Sequence, residues 1–182
     1  MDYTEKTLSR EEKYSGIIVD IHVDDIELIN GARSKREVVE HPGGVTVIPL
    51  DDDGFVYCVR QYRYAVGEHL LEVPAGKLEP GEDPMECAVR ELSEETGLTA
   101  ENMTDLGKIY PSPGFCRETL YIYLARGLKA GRAHPDENEF LDMERIHIDQ
   151  LCRMVMDGEI TDAKTVVAVM KTKKILEGRE NG

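Results

Sequence analysis

The chain has 182 residues, 41% of them hydrophobic, which is room for one domain of about 150 residues with a real core plus an extension. A formal charge of −14 argues against a nucleic-acid groove, which would carry a basic patch, and means that any small anionic ligand would have to be reached through metal ions and a few local cations. Cys58, Cys87, Cys116 and Cys152 form no C-x-x-C pair, no apolar run approaches ~18 residues, and the N-terminus is too charged for a signal peptide; a reduced, cytoplasmic setting is expected, without zinc, redox motif or membrane partner.

In chain order, residues 1–12 are polar and read as a loose arm. Partial alternation over 14–23, the pair Asp24-Asp25 and the run 26–31 predict two short strands with their reversal at the aspartates, and a third strand is expected over 36–41. Three short strands cannot bury a core, so residues 1–42 are expected to form a small antiparallel β extension packed on a larger body, either the main domain or a second subunit. His41-Pro-Gly-Gly is the punctuation before a domain over 43–182, with His41 as a capping or packing group. Residues 45–50 read as a strand, Asp51-Asp-Asp-Gly as a hairpin turn, and 55–63 as the returning strand, ending in the cations Arg60 and Arg63. Arg60 reads as surface. A further strand over 70–76 ends in Ala75 and Gly76, small enough for a backbone carbonyl to approach a metal.

The stretch from Gly76 to Leu98 organises the rest. Asp83 as N-cap, Pro84 at the first helical position and Gly97 at the left-handed end predict a helix of about three turns between them. At about 100° per residue, Met85, Ala88, Val89 and Leu92 share a packing arc, and Glu91, Glu94 and Glu95 an acidic one. Three carboxylates at that spacing repel by a few kcal/mol per close pair at a dielectric of ~20, and Arg90, within reach of Glu86 and Glu94, is too little to offset them. Hard oxygen ligands on one face suit Mg²⁺ or Mn²⁺. A solvated, Glu-rich helix face is the alternative.

Beyond the helix, residues 106–110 lead into the fixed loop Pro111-Ser-Pro-Gly-Phe-Cys-Arg-Glu118, and a strand resumes over 120–125. Residues 134–140 read as an acidic loop. The tail reads as two helices, one capped by Asp149 over 150–156 and one capped by Thr161 or Asp162 over 163–176, with Val166, Val167, Met170 and Ile175 as its packing face.

The spacing G-x5-E-x7-R-E-U-x-E-E-x-G-U, with U aliphatic, is met at every position from Gly76 to Leu98, a chance match below about 10⁻⁷ per starting position. The chain therefore resembles a Nudix hydrolase, strongly from Gln61 to Leu98, well through Glu118 and more loosely elsewhere. The resemblance implies an α/β class, the Nudix α/β/α sandwich with a mixed sheet, and hydrolysis of a nucleoside diphosphate linked to a further group. Glu91, Glu94 and Glu95 would hold Mg²⁺ or Mn²⁺ together with the Ala75 carbonyl, with Glu94 counted in the catalytic set as well. Gln61-Tyr62-Arg63 and the proline of Ser112-Pro-Gly resemble the ADP-ribose pyrophosphatases, whose reaction gives AMP and ribose 5-phosphate. In that likeness Arg63 holds the phosphates, Glu118 lies near the terminal ribose, and Glu139, with Glu137 second, is the general base. It also implies a homodimer with an exchanged N-terminal segment, Arg36 crossing to the partner's site. Another nucleoside diphosphate sugar or a damaged nucleotide is the rival substrate, and a non-catalytic nucleotide sensor the rival class.

Overall fold

The computed structural model describes residues 2–131 and 140–180, so the expected general bases Glu137 and Glu139 lie outside the described residues. The chain forms two compact units, Met1–Gly43 with Tyr110–Thr119, and Gly44–Ile109 with Leu120–Gly182. The loop 110–119, read from sequence as part of the second domain, belongs to the first unit.

That first unit is an antiparallel sheet of β1 (Lys6–Ser15), β2 (Asp20–Glu27) and β3 (Arg33–Glu40), in that order. β1 stands where a loose arm was expected. Every residue in it is exposed, so it has no apolar alternation to betray it; pairing with β2 holds it, with Arg10 forked onto Asp24 at 2.8 and 3.0 Å and Ser9 donating to Asp25 at 3.1 Å. The reversal also comes earlier than expected, where the Gly16 N–H meets the Val19 carbonyl at 3.0 Å. Asp24 and Asp25 sit in mid-strand opposite Arg36 and Lys35, and opposite charges across a ladder outweigh the turn preference of aspartate. Along β3, Val39 takes up the loop through Val39 N–H to Phe115 O at 2.8 Å and Arg117 N–H to Val39 O at 2.9 Å.

The second unit contains β4 (Gly44–Pro49), β5 (Phe55–Arg63), β6 (Glu68–Glu72), β7 (Ala75–Lys77), α1 (Pro84–Thr96), β8 (Leu98–Ile109), β9 (Leu120–Ala130), β10 (Leu141–His147), α2 (Ile148–Met156) and α3 (Ala163–Glu180). One sheet has the order β7-β4-β9-β8 and is mixed, because β4 and β9 run parallel; the other is β10-β5-β6. β4 and β5 are therefore not hairpin partners as expected, and share only the bridge Leu50 to Val56. Asp51 accepts from the N–H groups of Asp53 and Phe55 at 3.0 and 2.9 Å, and this turn carries the chain from one sheet to the other. Alternate residues of β4 and β9 feed two cores on opposite faces. Val45, Val47, Tyr123 and Ala125 pack with Cys87, Ala88 and Leu92 of α1, while Ile48, Ile122 and Leu124 pack with Leu151 of α2 and Ala168 and Val169 of α3.

α1 has the expected ends: Asp83 accepts from the N–H groups of Met85 and Glu86 at 2.8 and 3.3 Å, and Gly97 takes φ 69°. The cap of α2 is His147, whose Nδ1 accepts from the Asp149 N–H at 3.3 Å; Asp149 is a first-turn residue paired with Lys173 at 2.8 Å. Asp162 begins α3, accepting from the Thr165 N–H at 3.0 Å. The fully buried face of α3 is Thr165, Ala168, Val169 and Thr172; of the expected face, Val166 and Val167 pack part-buried against the same core, and Met170 is exposed. Buried threonines supplied half of a face that an apolar search does not count.

Candidate active site

On α1 the packing and acidic arcs are not separate. Glu91 and Glu95 are 8% and 3% exposed and share the buried face with Cys87, Ala88 and Leu92, whereas Val89 is 48% exposed. What covers the two glutamates is the backbone of β7. A Cβ built on Gly76 would fall inside the Glu91 carboxylate, so only a glycine permits this approach. One residue earlier, the Ala75 N–H donates to Glu95 Oε2 at 3.1 Å. The structure thus brings together Ala75, Glu91 and Glu95, with Glu94 beside them on the helix.

Arg90 offsets the repulsion more fully than its sequence neighbours suggested. Its Nε and Nη2 fork onto Glu82 at 2.9 and 3.0 Å, and its Nη1 reaches Glu91 at 2.7 Å and Glu94 at 2.9 Å. Glu86 is not among these partners. The carboxylates, Glu82 foremost, raise the guanidinium above its ordinary range. Glu82 also accepts the Glu79 N–H at 2.9 Å, so it ties the loop before α1 to the helix.

A second charged group lies in the same unit. Glu72, with no exposed surface, receives Arg63 Nε and Nη2 at 2.7 Å each and also Lys164, which is 2.9 Å from Asp162. Burial, the largest single influence, raises the Glu72 carboxyl, but Arg63 and Lys164 outweigh it and hold it below its ordinary range. Arg63 in turn is raised, first by Glu72 and against burial, with Asp162 and Glu95 adding. Arg63 and the helix carboxylate Glu95 therefore share one electrostatic field. Sequence reasoning missed Glu72 and Lys164; the available signal was one acid inside the apolar run 70–76. Arg60, bonded to Glu144 at 2.5 Å, has the surface place expected of it.

Arg36 and Glu118 belong to the first unit. Arg36 forks onto Glu5 at 2.9 and 2.5 Å and lines a cleft of ≈ 360 Å³ with Arg10, His22, Asp24 and Arg117. Glu118 lies 3.8 Å from His41 Nδ1, which accepts the Gly43 N–H at 3.0 Å, a capping role as expected.

The NUDIX domain pattern matches residues 40–168. The chain belongs to the NUDIX family. It is 39% identical over 180 residues to the ADP-ribose pyrophosphatase of Bacillus subtilis (strain 168), covering 97% of each chain. It is 44% identical over 169 residues to the methanol dehydrogenase activator of Bacillus methanolicus, covering 92% of this chain and 91% of that one. Among solved structures, an ADP compounds hydrolase superposes with a TM-score of 0.85 at 26% identity, covering 96% and 95%, which bears out the mixed α/β NUDIX fold. The protein is a NUDIX hydrolase of pyrophosphate bonds, an activity that generally depends on a divalent metal.

The residues present fit such an ion by the chemistry of the donor set and by the bare backbone at Gly76. Among the described residues no three His, Cys, Asp or Glu side chains converge as a closed cage. A hard cation that takes part of its shell from water and substrate phosphate needs only one or two carboxylates. The NUDIX helix offers three, all already gathered close to Arg90 or the β7 backbone.

The loop anchor gives a pH test. Arg90 first, then the Glu79 N–H, draw the Glu82 carboxyl from its ordinary 4.5 to about 2. A carboxyl depressed in the folded chain contributes stability that is complete above pH 4.5 and lost as pH falls through about 2. Glu82→Gln is therefore expected to lower Tm at neutral pH, with the gap to the parent chain closing between those two values. A gap that persists unchanged through the acid range would show that the ion pair is not its source.

Proposed function

We propose that this NUDIX hydrolase splits the diphosphate of ADP-ribose with water, giving AMP and ribose 5-phosphate. The diphosphate chemistry is supported most by the placement of buried Glu91 and Glu95 under the Gly76 backbone, and ADP-ribose as its substrate by the 39% identical relative named ADP-ribose pyrophosphatase. Held by Glu91, Glu94, Glu95 and the Ala75 carbonyl, Mg²⁺ or Mn²⁺ would act as Lewis acid toward the phosphate oxygens and the attacking water.

The remaining work falls to the chain. Two of the five N–H donors of Arg63 are taken by Glu72, which leaves the Nη1/Nη2 edge for a phosphate. Arg90 holds Glu91 and Glu94 in register, and Glu82 fixes the loop that leads into the helix. Glu139, or failing it Glu137, takes the proton of the attacking water, because the helix carboxylates are engaged elsewhere. Arg36 and Glu118 serve the two ends of the substrate, Arg36 from the partner in a homodimer built on an exchanged extension over 1–42, with catalysis in 43–182. The setting is cytoplasmic and reducing; burial pushes the thiols of Cys58 and Cys87 up to about 12, so neither is a ready nucleophile.

Glu139→Gln is expected to lower kcat by about 10²-fold with little change in KM. If Glu137→Gln does so instead, the base moves by two residues; if neither does, no loop acid is needed.

The test of the proposal is turnover with Mg²⁺ across ADP-ribose, nucleotide sugars, NADH, diadenosine polyphosphates and nucleoside triphosphates. ADP-ribose is expected to give the highest kcat/KM, with AMP and ribose 5-phosphate as products. Another substrate ahead by tenfold or more overturns it.

A further inference from the structure

We infer that Lys164, at the start of α3, is a positioning residue for Arg63, acting through Glu72, and so governs how the enzyme grips the diphosphate; this rests on the substrate role of Arg63 given above. Glu72 has no exposed surface, and its two oxygens are shared between Arg63 and Lys164, the latter with a side chain 11% exposed. A buried carboxylate with one cation is in balance only while that cation is fully its own. An Arg63 that also faces a diphosphate divides its charge between two anions. Lys164 supplies the second positive charge, so Glu72 stays ionised and in place while Arg63 turns its other edge to the substrate.

Lys164 is itself fixed. Asp162 lies 2.9 Å from its Nζ and caps the helix; Thr165 Oγ1 donates to Asp162 at 2.6 Å and accepts the Val73 N–H at 3.0 Å. The first turn of α3 is thereby stapled to the chain between β6 and β7, just before the Gly76 crossing. The four charges, Arg63 and Lys164 against Glu72 and Asp162, sum to zero without substrate. No role was assigned to Lys164 from the sequence, because its partner is 92 residues away.

The test has two readouts. In the first, the Arg63 side-chain Nε–H resonance is followed by ¹⁵N NMR without substrate, assigned by its loss in Arg63→Lys. It is expected to be sharp and protected from exchange in the parent chain and in Lys164→Arg, and broadened or lost in Lys164→Met. In the second, steady-state kinetics with ADP-ribose are expected to show KM raised about tenfold in Lys164→Met with kcat within threefold, and KM within threefold in Lys164→Arg. In an Arg63→Ala background, Lys164→Met is expected to change KM by less than about twofold, as for two residues acting in series. Lys164→Gln, which keeps a donor without the charge, takes the place of Lys164→Met should that chain fail to fold. An Arg63 resonance unaltered by loss of the lysine charge, or a KM effect that multiplies with that of Arg63→Ala, overturns the inference. Absence of turnover in the parent chain on every diphosphate overturns the substrate reading instead, while the resonance still decides whether Lys164 positions Arg63.

Discussion

Replacing Glu95 or Glu91 with glutamine is expected to lower kcat by about 10³-fold while the chain stays folded. Glutamine preserves length, volume and an oxygen acceptor. The Ala75 N–H, 3.1 Å from Glu95, can still be satisfied, and Arg90 keeps Glu82 and Glu94 when Glu91 is neutral. What disappears is the charge that a hard cation needs, so the loss falls on chemistry rather than on packing. The stability change should stay within about 1 kcal/mol, because the ion pair that Glu91 gives up with Arg90, and the neutralised acceptor at Glu95, are set against relief of repulsion among the helix carboxylates. Turnover by either variant within about threefold of the parent removes the metal role assigned to these residues, provided the substrate screen has first shown a diphosphate that the parent chain hydrolyses.

Gly76→Ala should produce a loss of similar size by a different route. The added methyl would occupy the space of the Glu91 carboxylate. Either the β7 backbone lifts from α1, or Glu91 swings out and gives up its 2.7 Å bond to Arg90. Overpacking of this kind costs about 1–3 kcal/mol, which should appear as a lower Tm. Displacement of Glu91 should take kcat down by about 10³-fold, as the glutamine variant does. A Gly76→Ala chain with parental Tm and kcat would mean that this backbone does not lie over the carboxylate. Combining Gly76→Ala with Glu91→Gln separates the two effects: kcat should fall no further, whereas the Tm penalty should remain.

The helix at the heart of the site was legible because everything that defines it is local. Asp83, Pro84 and Gly97 act within one turn, and a spacing of three and four residues places side chains on one face whatever lies around them. The same locality explains what was misjudged. The arc containing Val89 and the arc containing Glu95 are both properties of an isolated helix; Ala88 and Leu92 are buried as expected, and which further members join them depends on where β7 passes. Because Gly76 carries no side chain, the backbone comes down on the glutamates, and Val89 is left to solvent.

Near the start of the chain, β1 went unseen because both of its faces are wet, so no alternation marks it; its reality lies in a ladder to β2 and an ion pair between Arg10 and Asp24. The sheet exchange at Asp51 was hidden for a related reason, since two strands and a tight turn look alike whether or not the strands pair with each other. The sequence by itself determined the NUDIX helix, its caps and its acidic residues, all written in short-range spacing. The tertiary structure alone decided that Glu91 and Glu95 are buried, and that Arg90 gathers Glu82, Glu91 and Glu94. It alone placed Glu72 between Arg63 and Lys164, because charges nine and 92 residues apart meet only when two strands and a distant helix have already packed.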